Sequence, residues 1–142
     1  MKQLLLKIVP VLVVFFAVTS AACGGTLEDA ISAFNAKEYK KAHGLFQSIV
    51  KVGSAKHTGY VMGEAAYYMG KLHLKGWGVE KDYKESFKWF RKAVDQGNVR
   101  APFFLGSIYF SGDDVPRDLE ESAKWWRKAA EQGHGQSQHN LG

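Results

Sequence analysis

The residues best suited to catalysis or metal binding are few in this chain, and their spacing fits neither use. The histidines are His43, His57, His73, His134 and His139. None belongs to a His-Glu-x-x-His motif, and His134 and His139 are five positions apart, which would place them on different faces of a helix. We therefore predict that these histidines occupy surface or loop positions, and we predict no metal site.

Two pairs of acidic residues, Asp113-Asp114 and Glu120-Glu121, are the other candidates for acid–base chemistry. Side chains of adjacent residues point apart, so neither pair can share a proton or a substrate. Acidic residues are also favoured in the first turn of a helix. We interpret both pairs as loop and capping charges, and Gly76 and Gly78 as part of a turn. The sequence predicts no catalytic residue and no cofactor.

The charge of the chain does not favour a nucleic-acid partner. The formal net charge is +5 over 142 residues. Lys2 and Lys7 are the only charged residues among the first 22, so the rest of the chain carries +3. A nucleic-acid-binding protein normally concentrates more positive charge than this on one face. We therefore predict no nucleic-acid binding.

Residues 1–22 are typical of an export signal. Lys2 and Lys7 precede an apolar run from Ile8 to Val18, and the small residues of TSAAC follow it. The run is shorter than the roughly 20 residues that span a bilayer. We predict cleavage of this signal peptide and a periplasmic, membrane-anchored or secreted product.

Cys23 directly follows the signal and is the only cysteine, so no intramolecular disulfide is possible. The segment SAAC resembles a bacterial lipoprotein signal, in which this cysteine is lipidated and becomes the first residue. Ser20 stands where such signals usually have Leu. Lipidation of Cys23 and ordinary secretory cleavage near Cys23 are both compatible with these residues.

A repeat with a period of 36 residues organises the rest of the chain. The segment KWFRKAVDQG at residues 88–97 returns as KWWRKAAEQG at residues 124–133, and 14 of 33 positions are identical between residues 65–97 and 101–133. A period of this length is typical of solenoids built from stacked helix pairs. We divide residues 23–142 into a degenerate unit at 26–54, repeats at 65–100 and 101–136, and a partial third repeat at 137–142.

Each repeat is predicted to form two helices. Tyr83, Phe87, Phe90 and Val94 give the second helix one apolar face. Asp82 with Glu85, and Asp118 with Glu121, match reciprocal capping boxes, so we expect helix starts at Tyr83 and Leu119. Glycines follow the predicted helix ends, at Gly76 and Gly112 for the first helices and at Gly97 and Gly133 for the second.

Gly70 and Gly106 lie inside the first helices, where glycine costs about 1 kcal/mol relative to alanine. Their recurrence predicts a close approach of the partner helix. We expect Trp89 and Trp125 to fill the space beside them as buried anchors. The connecting loops read GWGVEKD and GDDVPRD, and Asp114 can adopt the left-handed backbone that the second loop requires.

These positions together resemble the Sel-1-like repeat, a relative of the tetratricopeptide repeat: Ala65, Gly70, Gly76, Val79, Asp82, Trp89, Ala93 and Gly97 recur 36 residues later. The resemblance covers residues 65–142 and implies an all-α, right-handed superhelical solenoid of antiparallel helix pairs. It also implies a non-catalytic scaffold that binds a protein or peptide partner.

The resemblance further implies that the first helices line the concave side. Six residues there, which we call the inner surface, are candidates for partner binding: Tyr67, Lys71, Leu74, Arg100, Phe103 and Phe110. Glu64 is expected to point outward with them. Aromatic rings supply rigid contact area, and Lys71 and Arg100 would select acidic groups. The alternative is that Tyr67, Phe103 and Phe110 pack between units. On the first view, exchanging Lys71 or Arg100 for Glu weakens binding without changing stability.

An alternative function is a β-lactam-binding or β-lactam-hydrolysing enzyme of the cysteine-linked repeat type, because some exported relatives have been linked to β-lactam recognition. The paired cysteines of those relatives are missing here. Turnover of nitrocefin above background would favour the enzyme.

Overall fold

The computed structural model describes residues 25–53 and 56–141, and within them the chain forms seven helices and no strand. The predicted signal peptide and Cys23 lie outside the described residues. The helices are α1 (Leu27–Asn35), α2 (Tyr39–Val52), α3 (Gly59–Lys75), α4 (Tyr83–Asp95), α5 (Ala101–Ser111), α6 (Leu119–Glu131) and α7 (Gly135–Leu141). Each packs mainly on the helix before and after it. The fold is the predicted all-α solenoid.

Two adjoining apolar clusters form the core. The first joins α1 and α2 to α3, with Phe46 and Met69 fully buried. The second joins α3 and α4 to α5 around Phe90 and Leu105. Because α3 contributes to both clusters, this helix links the first unit to the second.

The helix starts at Tyr83 and Leu119 are confirmed, and their caps are only partly as predicted. The carboxylates of Asp82 and Asp118 accept hydrogen bonds from the amides of Glu85 and Glu121, both at 2.9 Å. The reciprocal bond is not formed in either place, because Glu85 and Glu121 instead form ion pairs with lysines one turn later in their helices. The complete capping box is found at the start of α1, between Thr26 and Asp29.

The predicted glycine positions end the helices. Gly76 and Gly112 cap α3 and α5 in the left-handed conformation, with φ of 68° and 74°. Asp114, in the second loop, also has a positive φ of 55°, as expected from its residue type. α3 begins after the N-cap Thr58 and has 17 residues, whereas the equivalent helix α5 has 11.

The close approach at Gly70 and Gly106 is confirmed, but the predicted aromatic partners are wrong. A Cβ atom on Gly70 would lie 2.7 Å from the ring of Phe90, and one on Gly106 would lie 2.6 Å from Nε1 of Trp126. Trp89 and Trp125, one residue earlier in α4 and α6, are partly exposed and pack against the clusters from the side. One residue along a helix is about 100° of rotation, which separates the two orientations.

A hydrogen bond that the sequence analysis did not anticipate joins the helices of each repeat. The hydroxyl of Ser86 donates to the carbonyl oxygen of Gly70 at 2.9 Å, and Ser122 donates to Gly106 at 2.8 Å. Both serines are buried. Because the glycines lack a side chain, their carbonyls are accessible to the partner helix.

Candidate functional site

Three of the six inner-surface residues, Tyr67, Lys71 and Arg100, lie together. The guanidinium carbon of Arg100 lies 4.1 Å from the ring centroid of Tyr67, and Nζ of Lys71 lies 5.6 Å from it. The side chains come from α3 and from the residue immediately before α5. The arrangement therefore bridges two successive repeats.

Arg100 is held by a buried acid. Its guanidinium forms an ion pair with Glu64, whose other carboxylate oxygen accepts a hydrogen bond from the Asn98 side chain at 2.7 Å. The side-chain oxygen Oδ1 of Asn98 accepts hydrogen bonds from the backbone amides of Arg100 and Ala101, both at 3.0 Å, and so caps the start of α5. The expectation that Glu64 points outward is wrong, because Glu64 is only 9% exposed.

Tyr67 is also part of the core and not an outward-facing residue. Its side chain is 5% exposed and packs with Phe90 and Phe104 between the two repeats. Burial raises the pKa of its phenol. Tyr67 therefore packs between units, which was the alternative expectation for this residue. The partly exposed groups of this cluster are Lys71 and Arg100.

Lys71 is half-buried over aromatic rings. Its amine lies 5.0 Å from the ring centroid of Phe34, in addition to its contact with Tyr67, and 5.7 Å from that of Tyr68. Within residues 25–53 and 56–141 no acidic side chain forms an ion pair with it. Burial, and then the charges of Arg100 and Lys75, lower the pKa of this amine. Lys71 therefore presents a cation that lies over ring faces and that no acidic side chain of the described residues balances.

A continuous series of aromatic rings crosses the molecule behind these cations. The neighbouring centroids lie 4.6 to 5.6 Å apart, and the series runs through Phe34, Tyr68, Tyr67, Phe104, Phe103 and His134. Contacts between aromatic rings contribute more free energy of folding than the burial of their apolar area alone. The series extends from α1 to the loop before α7 and lies beneath the inner surface.

The remaining inner-surface residues lie farther along α3 and α5. Phe103 is partly buried and stacks on His134, with its centroid 4.6 Å away. Phe110 is 48% exposed, and its ring lies 5.4 Å from that of Trp126. Leu74 lines a cavity of about 280 Å³ between α3 and α5. The six residues thus form one cationic cluster, one ring stacked on His134, one exposed ring and one cavity edge.

Four further residues belong to this surface and were not predicted from the sequence: Phe34, Tyr68, Asn98 and Phe104. Asn98 could have been found, because Asn shortly before an apolar helix is a common capping residue. The positions of Phe34 and Phe104 relative to Lys71 and Tyr67 depend on how the units stack, which local patterns do not report.

Two groups of polar side chains bear on the question of catalysis. His43 and His73 face each other from α2 and α3, with centroids 5.9 Å apart, and Nδ1 of His73 is buried without a hydrogen bond, so His73 is not the surface residue expected. The spacing Ser-x-x-Lys, which carries the nucleophilic serine of class A β-lactamases and penicillin-binding proteins, occurs once, at Ser48 and Lys51. Both side chains are exposed, and the Ser48 hydroxyl donates a hydrogen bond to the carbonyl oxygen of Gly44.

Two further kinds of site are absent from the part of the chain that the structure describes. No three His, Cys, Asp or Glu side chains there come close enough together to hold a metal ion. None of the described helices combines the length and the apolar character needed to cross a membrane.

Comparison with known proteins links this geometry to one family. The sequence pattern of the Sel1 repeat matches residues 63–98 and 100–134, which together make half of the chain. A crystal structure of a Sel1 repeat protein from Oxalobacter formigenes superimposes with a TM-score of 0.67 at 30% identity, covering 82% of this chain and 44% of that one.

A second solved structure has the same architecture. The protein c5321, a protective antigen present in uropathogenic Escherichia coli strains and displaying an SLR fold, superimposes with a TM-score of 0.63 at 30% identity, covering 72% of this chain and 20% of its own. This chain thus spans less than half the length of either protein. The repeat matches, the stacked helix pairs and these superpositions lead to one conclusion: the chain belongs to the Sel1 repeat family.

Proposed function

We propose that this protein is an exported, non-catalytic scaffold of the bacterial cell envelope that binds a segment of a protein partner along its inner surface. Sel1 repeats typically mediate protein interactions, which supports a protein partner. The proposed segment crosses the junction between the two repeats, where Lys71 and Arg100 lie.

The observation that carries this proposal is the environment of Lys71. Placing an ammonium group in a half-buried position costs free energy unless an opposite charge compensates it. Glu64 compensates Arg100, whereas no acidic side chain of the described residues pairs with Lys71. A carboxylate brought by a partner would supply the missing charge. The surrounding rings of Phe34, Tyr67 and Tyr68 would exclude water from the contact.

The partner chemistry follows from these groups. A charge-assisted hydrogen bond to Lys71 contributes about 1.5 to 3 kcal/mol. An acidic side chain of an extended segment can reach Lys71 while its neighbours contact the partly exposed rings of Tyr68, Phe103 and Phe104. We therefore propose an acidic residue flanked by apolar residues as the bound motif.

Affinity capture from the cell envelope with matched variants tests this function. Lys71→Gln should lower the recovery of a specific partner about tenfold, which corresponds to about 1.4 kcal/mol. The matched control is Lys84→Gln, which removes an exposed charge on α4, outside the inner surface. Capture should also weaken as salt rises, because partly solvated charges are screened. Equal recovery with the parent and Lys71→Gln would contradict the proposal.

The envelope location depends on residues 1–23. The signal-like segment and Cys23 support export, with lipidation of Cys23 as the anchor and plain secretion as the alternative. A lipid anchor would hold the solenoid at a membrane surface and keep its inner surface free for a partner in the same compartment.

A further inference from the structure

The two junctions between successive units differ in how their corner is filled. At the first junction the indole of Trp77 stacks on Tyr39, the first residue of α2, with centroids 5.0 Å apart and an interplanar angle of 13°. Phe34, the last residue but one of α1, lies 5.8 Å away on another side. The loop then passes directly over α2, because a Cβ on Gly78 would lie 2.7 Å from the Lys40 amide nitrogen.

At the second junction the repeat places Asp113 where the first has Trp77. The neighbouring positions are also occupied at this junction. Tyr83, the first residue of α4, corresponds to Tyr39, and Leu74, the last residue but one of α3, corresponds to Phe34. The indole that covers Tyr39 thus has no counterpart over Tyr83. The corner instead holds a cavity of about 280 Å³, lined by Leu74, Tyr83, Ile108 and Asp113 among others.

The cavity is open to solvent and has room for a ring, and five of its eight lining residues are polar: Lys75, Lys81, Ser107, Ser111 and Asp113. Its volume is many times the roughly 30 Å³ that one water molecule occupies. Leu74 and Ile108 supply apolar walls and Tyr83 supplies a ring face. The exposed side chain of Lys81 lies over that ring, with its amine 4.6 Å from the centroid. A long exposed side chain of this kind can move aside at little cost, so an incoming ring can reach Tyr83.

We propose that this cavity takes an aromatic side chain from the bound protein segment, in the place that Trp77 fills at the first junction. The inference deepens the proposed function and rests on it, because Leu74 belongs to the inner surface and the cavity lies at its edge. The fold offers a precedent, because an indole lies between Tyr39 and Phe34 in the same corner one unit earlier. The acidic residue bound at Lys71 and this aromatic residue would anchor the segment at two points.

The test needs no natural partner. N-acetyl-tryptophanamide and the blocked pentapeptide acetyl-Ala-Ala-Trp-Ala-Ala-amide are titrated into the exported chain, and amide shifts are followed by NMR. Both probes should shift the amides of residues 74, 83, 108 and 113. Asp113→Trp supplies the missing indole within the chain. It should therefore lower the affinity for both probes at least about tenfold, the scale of one buried aromatic contact. It should also raise the melting temperature. Asp113→Ala leaves the cavity open and should retain binding.

Each outcome decides the inference separately from the proposed function. Shifts that are absent from this cavity, or that persist in Asp113→Trp, would overturn the aromatic subsite while leaving capture through Lys71 intact. Binding of N-acetyl-tryptophanamide without the pentapeptide would assign the cavity to small aromatic molecules and overturn the proposal of a protein side chain. Loss of partner capture in Lys71→Gln together with normal capture by Asp113→Trp would overturn the aromatic subsite and leave Lys71 as the contact with the partner.

Discussion

Arg100 forms an ion pair with Glu64, the residue that occupies its own repeat position in the preceding unit, 36 residues earlier. One position of the repeat is thus acidic in one copy and basic in the next, and the two copies bind each other across the junction. Asn98 completes the contact by binding Glu64 while capping α5. The pair therefore sets the stacking of the second repeat on the first.

Replacing Arg100 should destabilise the protein, in contrast to the expectation from sequence that stability would not change. Arg100→Glu would place a second carboxylate beside buried Glu64, and Arg100→Met would leave Glu64 with Asn98 alone. Leaving a buried polar group without its partner costs about 1 to 3 kcal/mol. Urea denaturation measures this loss. The double variant Glu64→Gln/Arg100→Met should recover part of it, and an unchanged unfolding free energy in Arg100→Met would show that the pair contributes nothing.

The two helical glycines Gly70 and Gly44 should respond oppositely to alanine. Gly70→Ala places a methyl group against the ring of buried Phe90, and overpacking of this kind costs about 1 to 3 kcal/mol. A methyl group on Gly44, inside α2, would meet nothing within 4 Å, so Gly44→Ala should gain about 0.5 to 1 kcal/mol from helix propensity. Thermal and urea unfolding of both variants check the signs. Stabilisation by Gly70→Ala would mean that α3 and α4 are farther apart than described.

Phe90 and Trp89 are adjacent in α4 and should differ in their effect on stability. Phe90 is fully buried against Gly70, so Phe90→Ala should cost about 3 to 5 kcal/mol. Trp89 is partly exposed, and Trp89→Ala should cost clearly less. The unfolding free energies of the two variants measure the difference. A larger loss from Trp89→Ala would restore the tryptophan as the principal anchor of the helix pair.

Lys71 should give the protein a specific dependence on alkaline pH. The pKa of its amine is lowered by burial, and then by Arg100 and Lys75, from an ordinary value of 10.5. Between the lowered value and 10.5 the unfolded chain binds more protons at this site, so its contribution to stability rises with pH. Lys71→Met should therefore be more stable than the parent near neutral pH, and the difference should narrow as the pH approaches 10.5. Urea denaturation across this range measures it, and a constant difference would contradict the assignment.

Cys23 provides the test of export and anchoring. If it is lipidated, globomycin should cause the precursor to accumulate, and Cys23→Ser should move the protein out of the membrane fraction. Fractionation and the size of the processed chain are the measurements. Normal processing of Cys23→Ser with unchanged fractionation would favour plain secretion.

The sequence predicted those features that depend on a few neighbouring residues. The starts of α4 and α6 follow from Asp82 and Asp118, whose carboxylates bind amides three residues later. The left-handed ends at Gly76 and Gly112 follow from residue type. Features that depend on the rotation of one helix against another were less accessible. Phe90 and Trp126, rather than their neighbours Trp89 and Trp125, face the glycines.

The candidate site shows the same limit. The sequence predicted that Tyr67, Lys71 and Arg100 share one surface, and these residues do lie together. It did not reveal that Tyr67 is covered or that Glu64 neutralises Arg100. Both facts depend on residues far away in the sequence: Phe90 and Phe104 cover Tyr67, and the partners of Glu64 lie 34 and 36 residues after it.

The hydroxyl bonds from Ser86 to Gly70 and from Ser122 to Gly106 give the protein a predictable response to mechanical force. They tie the two helices inside a repeat, whereas neighbouring repeats are joined by side-chain packing and the Glu64–Arg100 pair. Nearest-neighbour contacts of this kind let a solenoid separate unit by unit. When pulled from both ends in an optical trap, the chain should lengthen in steps of one repeat, each releasing about 120 Å of extended chain. A solenoid that yields in such steps would keep its remaining repeats folded under load.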